Sequence, residues 1–133
     1  MFDAKGIDFS QIPDSPEVDF DEGTGAGRGF AVSKGVAGAV VDAIRRIDPQ
    51  REVLTDYADG LRECKKMLLL ARAGKRDGYL LEGMACPGGC IAGAGTIAPV
   101  IKSSSAVKQY SKDAAEQNSM DSRYAHKLHE LEE

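Results

Sequence analysis

Two thiols four residues apart, Cys86 and Cys90, stand in the chemically densest run of this 133-residue chain: Glu82-Gly-Met84-Ala-Cys86-Pro87-Gly88-Gly89-Cys90-Ile-Ala-Gly93-Ala-Gly95. On one turn of helix their Cβ atoms would lie roughly 5–6 Å apart. That spacing suits two thiolates on neighbouring corners of an iron–sulfur cluster. Gly88 and Gly89 carry no side chains, so the backbone can come close and aim N–H groups at sulfide. Gly93 and Gly95 extend the same uncrowded surface.

Other chemistry for these residues stays open on spacing alone. A Cys86–Cys90 disulfide lacks the Cys-x-x-Cys spacing of redox motifs. Zinc would need two more ligands. His126 and His129 could supply them, but the 35 residues between Cys90 and His126 fit no zinc-finger spacing. A structural glycine turn with two buried thiols is the plainest alternative. Weaker signals lie elsewhere. Gly93-Ala-Gly95-Thr-Ile-Ala98 matches a loose dinucleotide pattern, but Pro99 follows and no acid on a second strand completes it. The glycines of 23–29 make neither that pattern nor a phosphate loop. Cys64 reads as a small core residue, and no Ser-His-Asp or paired-carboxylate arrangement is present.

The elements that must position the cysteines follow from periodicity. Glu52–Tyr57 and Tyr79–Met84 read as strands, the second running straight into the cysteine loop. The loop thus leaves the carboxyl end of a strand, where open α/β sheets place ligands. Ser33 is the expected cap of a helix to about Ile47, with Val36, Val40, Ala43, Ile44 and Ile47 inward. Asp59 is expected to cap a second helix to about Ala73, closed by Gly74. Its inner face would be Leu61, Cys64, Leu68 and Ala71, and Arg62, Lys65, Lys66, Arg72 and Arg76 would line its outside. Strands alternating with helices predict an α/β fold with a small, mainly parallel sheet of three to four strands flanked by helices, and a C-terminal helical tail.

Three regions are expected. Residues 1–28 hold seven acids against Lys5 and Arg28 and are interrupted by Pro13 and Pro16, an acidic extended arm. Within it, MFDAKGI reads as a last helical turn closed by Gly6, as if the chain had been cut from something longer. Residues 29–103 form the α/β subdomain, with the cysteine loop at 82–95, and 104–133 the helical tail, broken near 118–121. Leu, Ile, Val and Phe make up only about a fifth of the chain and Trp is absent, so a thin core of small side chains is expected. The net charge of −4 argues against nucleic acid and anionic membrane as partners. No apolar run approaches the ~18 residues of a membrane span. The start carries no basic segment followed by an apolar stretch, and three cysteines cannot all pair. Both point to a reducing cytoplasm.

The run from Glu82 to Gly95 resembles the last signature of the iron-only (FeFe) hydrogenases, Glu-x-Met-x-Cys-x-x-Gly-Cys followed by two residues and a glycine triplet. Gly25–Val36 is similar to the family's glycine-rich Phe-Gly-Ala-Thr-Gly-Gly-Val segment. Gly6-Ile7-Asp8-Phe9, Asp19 and Gly60-Leu61 also resemble family stretches, so the likeness runs from the start to about residue 97. The resemblance implies that Cys86 is a terminal ligand of a four-iron four-sulfur cluster. It implies that the sulfur of Cys90 also bridges to a di-iron site, the two parts forming the catalytic H-cluster. Met84 would line the di-iron pocket, Phe30 and Ala31 would help cover it, and Pro87, Gly88, Gly89 and Gly93 would surround the cluster. Implied partners are the N-terminal remainder of the hydrogenase and a ferredoxin-like electron carrier.

Departures from the pattern qualify this. Ala94 interrupts the glycine triplet, Ile97 stands where proline is frequent, and Ala31 and Lys34 replace glycines. Divergent pockets of this kind belong to members suspected of sensing hydrogen. The family's other two cysteine ligands and its proton-relay cysteine come from motifs absent here. The expectation is a C-terminal part of a hydrogenase that is inactive and without its cluster when alone. The rival readings are a free-standing iron–sulfur or metal carrier, and a redox-silent interaction domain.

Overall fold

The computed structural model describes residues 3–12 and 23–125. The proline-interrupted part of the acidic arm, 13–22, and both histidines lie outside the described residues. Four helices and two strands follow in the order α1 (Gly25–Arg28), α2 (Gly35–Ile47), β1 (Leu54–Asp59), α3 (Leu61–Arg72), β2 (Tyr79–Met84) and α4 (Val100–Lys112). Short 3-10 turns occupy Asp3–Lys5, Phe9–Gln11, Gly29–Ala31, Cys90–Ala92 and Ser119–Asp121.

β1 and β2 pair in parallel from Leu54 opposite Tyr79 to Asp59 opposite Met84. α3 joins them and packs on both strands, while α2 lies against β2. The architecture is therefore α/β with a small parallel sheet, but the described sheet has two strands rather than three to four. Gly29–Ala31 is wound into a 3-10 turn that Val32 closes by donating to Gly29. After the cysteine loop the chain turns through Thr96 and enters α4 at Val100, four residues earlier than the tail helix was expected.

The two main helices sit in a different rotation from the one their leucines and valines suggested. α2 buries Ala37, Ala39 and Val41 and leaves Val40 and Ile47 exposed. In α3 Met67 is the buried residue, whereas Leu61 and Leu68 are 73% and 60% exposed. The reason is close approach at Gly83: the Cys64 sulfur and the Met67 terminal methyl stand 3.0 and 3.7 Å from where a Cβ there would lie, so that edge of α3 faces β2. Neither expected cap serves. α2 starts from Lys34 and α3 from Gly60, while Ser33 and Asp59 instead hydrogen-bond to each other, Ser33 Oγ donating to Asp59 Oδ1 at 2.5 Å.

α4 and the segment after it close the molecule over the glycine-rich stretch. The first two N–H groups of α1, on Gly25 and Ala26, donate to the carbonyls of Glu116 and Gln117 at 2.7 and 2.9 Å. Ser111 Oγ donates to the Gly25 carbonyl at 2.6 Å. The Arg28 guanidinium donates to the Tyr110 carbonyl and lies 4.2 Å from the centre of the Tyr110 ring. These bonds satisfy helix-end donors that a four-residue helix cannot pair internally.

Candidate functional site

The cysteine loop is a turn followed by a 3-10 turn, not a turn of α-helix. Gly89 N–H donates to the Cys86 carbonyl at 2.9 Å. Pro87 and Gly88, with φ of 94° at Gly88, occupy the centre of that turn, the pattern of a type II turn. Gly93 N–H donates to the Cys90 carbonyl at 3.0 Å and ends the second turn. The helical spacing expected for the two thiols is thus replaced by two consecutive left-handed glycines between them. All three cysteines are free thiols, Cys86 half-buried and Cys90 exposed.

The loop is pressed onto the segment that follows the glycine-rich stretch. A Cβ on Gly89 would lie 2.6 Å from the Ala31 carbonyl oxygen and 2.7 Å from the Ser33 nitrogen. Ser33 N–H donates to the Gly88 carbonyl at 3.1 Å. Only glycine fits at position 89, on grounds of space and of its φ of 95°. Ala31, Gly88, Gly89, Cys86 and Cys90 are therefore brought into one neighbourhood across more than 50 residues of chain. Phe30 adjoins them with 45% of its surface exposed. Gly93 borders the thiol directly, since a Cβ there would stand 3.7 Å from Cys86 Sγ. Pro87 leans toward the start of α3, 3.6 Å from the Cβ position of Gly60. Met84 is half-buried at the end of β2, and its carbonyl accepts from Gly60 N–H at 2.7 Å.

Cys64 is set apart from this group. Its sulfur lies 3.6 Å from the carbonyls of Ala58 and Met84, packed between helix and sheet. Among the described residues no three His, Cys, Asp or Glu side chains converge on one point. The donors present are thus two soft sulfurs in a glycine-bordered loop, which fit half of a four-thiolate iron–sulfur site. A cavity of about 360 Å³ lies elsewhere, between α1, α2 and α4, with Gly25, Gly35, Asp42 and Ser111 in its wall. A second, about 350 Å³, separates α4 from the cysteine loop and is bordered by Val32, Gly88, Ile91 and Val100.

One participant carried no assigned role in the sequence reading. Glu82 is 8% exposed, yet it is fully partnered. Its Oε1 accepts from Lys34 N–H at 2.5 Å and its Oε2 from Ala37 N–H at 2.6 Å. A carboxylate on β2 thereby caps α2, where the unpaired N–H groups and the helix dipole favour negative charge. Hydrogen bonds to a charged group contribute ~1.5–3 kcal/mol each. Its only trace in the sequence is an acid at an otherwise apolar strand position, since the groups it binds lie 45 and 48 residues away.

The loop's order of residues and its surroundings have counterparts among known proteins. The family described as "Iron only hydrogenase large subunit, C-terminal domain" matches residues 1–94. This chain belongs to that family. The NADP-reducing hydrogenase subunit HndD of Solidesulfovibrio fructosivorans is 30% identical over 119 aligned positions, covering 67% of this chain and 20% of the relative. The periplasmic [Fe] hydrogenase large subunit of Nitratidesulfovibrio vulgaris is 28% identical over 122 positions, covering 71% of this chain and 29% of the relative. The chain thus spans between a fifth and a third of the length of these two hydrogenase proteins. The match ends at residue 94, within the cysteine loop's glycines, so α4 lies beyond it. Membership of the iron-only hydrogenases implies an H-cluster in the full-length protein. No described helix is long and apolar enough to cross a membrane.

Proposed function

We propose that this chain supplies the C-terminal part of an iron-only hydrogenase catalytic domain and two of the four cysteine ligands of its H-cluster. The observation that carries this reading is the cysteine loop itself. Cys86 and Cys90 stand free on a loop whose glycines hold it against Ala31–Ser33, in a chain whose family match spans both segments. Cys86 and Cys90 would both hold the four-iron four-sulfur part, with Cys90 the ligand on the side of the di-iron site. When bound, the cluster supplies the redox centre at which protons and hydrogen interconvert. The chain's own part is to present two thiolates, to limit water at them with Met84, Phe30 and Ala31, and to leave backbone beside the sulfurs at Pro87, Gly88, Gly89 and Gly93.

Alone, the chain is inactive, because two thiolates hold half of the ligand set. Its partner is the N-terminal remainder of the hydrogenase, and a ferredoxin-like carrier exchanges electrons with the assembled enzyme. The outward cations of α3, with Arg62, Lys65 and Arg72 exposed beside Leu61 and Leu68, suit an acidic carrier. A reducing cytoplasm is the compartment we assign to it, where free thiols such as its three cysteines persist; one relative is named as periplasmic.

The source DNA upstream of the Met1 codon tests the reading. A reading frame that continues through two further cysteine-bearing motifs is the expected result. A stop codon and ribosome site directly before Met1 would favour a free-standing carrier, and hydrogen evolution by the isolated chain after cluster maturation would overturn its inactivity alone.

A further inference from the structure

Lys34 is the one non-glycine residue with positive φ among the described residues, at 72°. A side chain in that region crowds its own backbone, and such strain persists only where the surroundings hold it. The surroundings here are two strands. Lys34 N–H donates to Glu82 Oε1 at 2.5 Å, and its ammonium lies 5.1 Å from the centre of the Tyr57 ring. Glu82 and Tyr57 are register partners in the sheet. On one side of Lys34, Ser33 bonds to the Gly88 carbonyl and to Asp59. On the other, Ala37 donates to the second oxygen of Glu82. The strained residue is therefore the joint between α2, the sheet and the cysteine loop.

We infer that Glu82 is a positioning residue: its carboxylate latches Lys34 in the left-handed conformation and so sets where Ala31–Ser33 lies against Gly88 and Gly89. Release of the latch shifts the 31–33 backbone away from the loop and uncovers the half-buried Cys86. The latch needs a carboxylate, because both oxygens must accept. A Gln offers one acceptor, and its NH₂ group faces a backbone N–H with no lone pair to receive it. This rests on the proposed ligand role of Cys86 only for its consequence, since the latch is read from the thiol with no metal present.

The test is the alkylation rate of Cys86 by iodoacetamide in the full chain, followed by peptide mass spectrometry, with Cys64 as internal reference. In Glu82→Gln, Cys86 reacts at least about tenfold faster, the change expected from losing one hydrogen bond to a charged group. Cys64 keeps its rate. Adding Lys34→Gly, which adopts positive φ without strain, returns Cys86 toward its original rate. An unchanged Cys86 rate in E82Q, a joint rise of Cys64 and Cys86, or no recovery in the double variant would each overturn the inference. If E82Q alone does not fold, the double variant decides. Folding with the original Cys86 rate upholds the latch, and failure to fold or a fast Cys86 refutes it.

Discussion

The β1–α3–β2 unit and the cysteine loop are held by different forces. The unit is held by side chains: Met67 and Ala58 are buried between helix and sheet, and Cys64 fits into the space that Gly83 leaves open. The loop is held by backbone. Gly89 abuts the Ala31 carbonyl, Ser33 binds the Gly88 carbonyl, and Glu82 grips two N–H groups. Side-chain burial tolerates conservative exchange and loses stability in proportion to volume removed. Backbone contact has no such slack, because an added methyl group meets main chain that cannot rotate away.

That contrast can be broken at either end. The largest effect is expected from Gly89→Ala. Its Cβ would meet backbone at 2.6, 2.7 and 3.0 Å with φ at 95°, and strain plus overpacking of this kind costs about 3 kcal/mol or more. Amide exchange should show lost protection at Gly88–Gly93 and at Ser33 while the strands stay protected. Equal loss of protection in β1 and β2 would mean that loop and sheet are one unit.

Met67→Ala should act on the other region. Truncating a buried Met costs roughly 2–3 kcal/mol, to be read as a lower thermal midpoint. The alkylation rate of Cys86, measured well below that midpoint, should stay within about twofold of the original. A tenfold rise would remove the distinction between the regions.

The smallest effect concerns pH and confirms that the sheet unit carries its own electrostatics. The Arg76 guanidinium donates to Asp56 at 2.6 Å, and with the Tyr57 N–H it holds the Asp56 carboxyl below its ordinary value of 3.8. A depressed folded pKa stabilises fully above the unfolded value and is lost as the pH falls through the folded one. The pair therefore supports the sheet at neutral pH and fades below about pH 3.8. Asp56→Asn should shrink the acid-side fall in thermal midpoint slightly. A larger acid sensitivity in the variant would reverse the sign and refute the assignment.

The two regions were also unequally legible. Tyr79–Met84 runs apolar into the loop and forms a strand with those bounds, and helices stand where the periodic segments lie. Their rotation was only partly readable: Cys64 was expected inward and does meet the sheet, but Leu61 and Leu68, expected beside it, are exposed. What decides the rotation is the hollow at Gly83, nineteen residues beyond Cys64 in the chain. The cysteines, glycines and their likeness to a known signature were plain in the residues themselves. The helical spacing assigned to Cys86 and Cys90 was not sound, although Pro87-Gly88 already spelled a turn. Glu82 shows the limit most clearly, since nothing near it in the chain is its partner.

The most direct test of the central claim is native mass spectrometry of the full chain after anaerobic loading with ferrous iron and sulfide. If Cys86 and Cys90 are half of a shared ligand set completed by the preceding part of a hydrogenase, no four-iron cluster should be retained on one chain or on a pair of chains. A stable four-iron four-sulfur cluster on two copies, lost in Cys86→Ser and in Cys90→Ser, would contradict this account and make the protein a carrier.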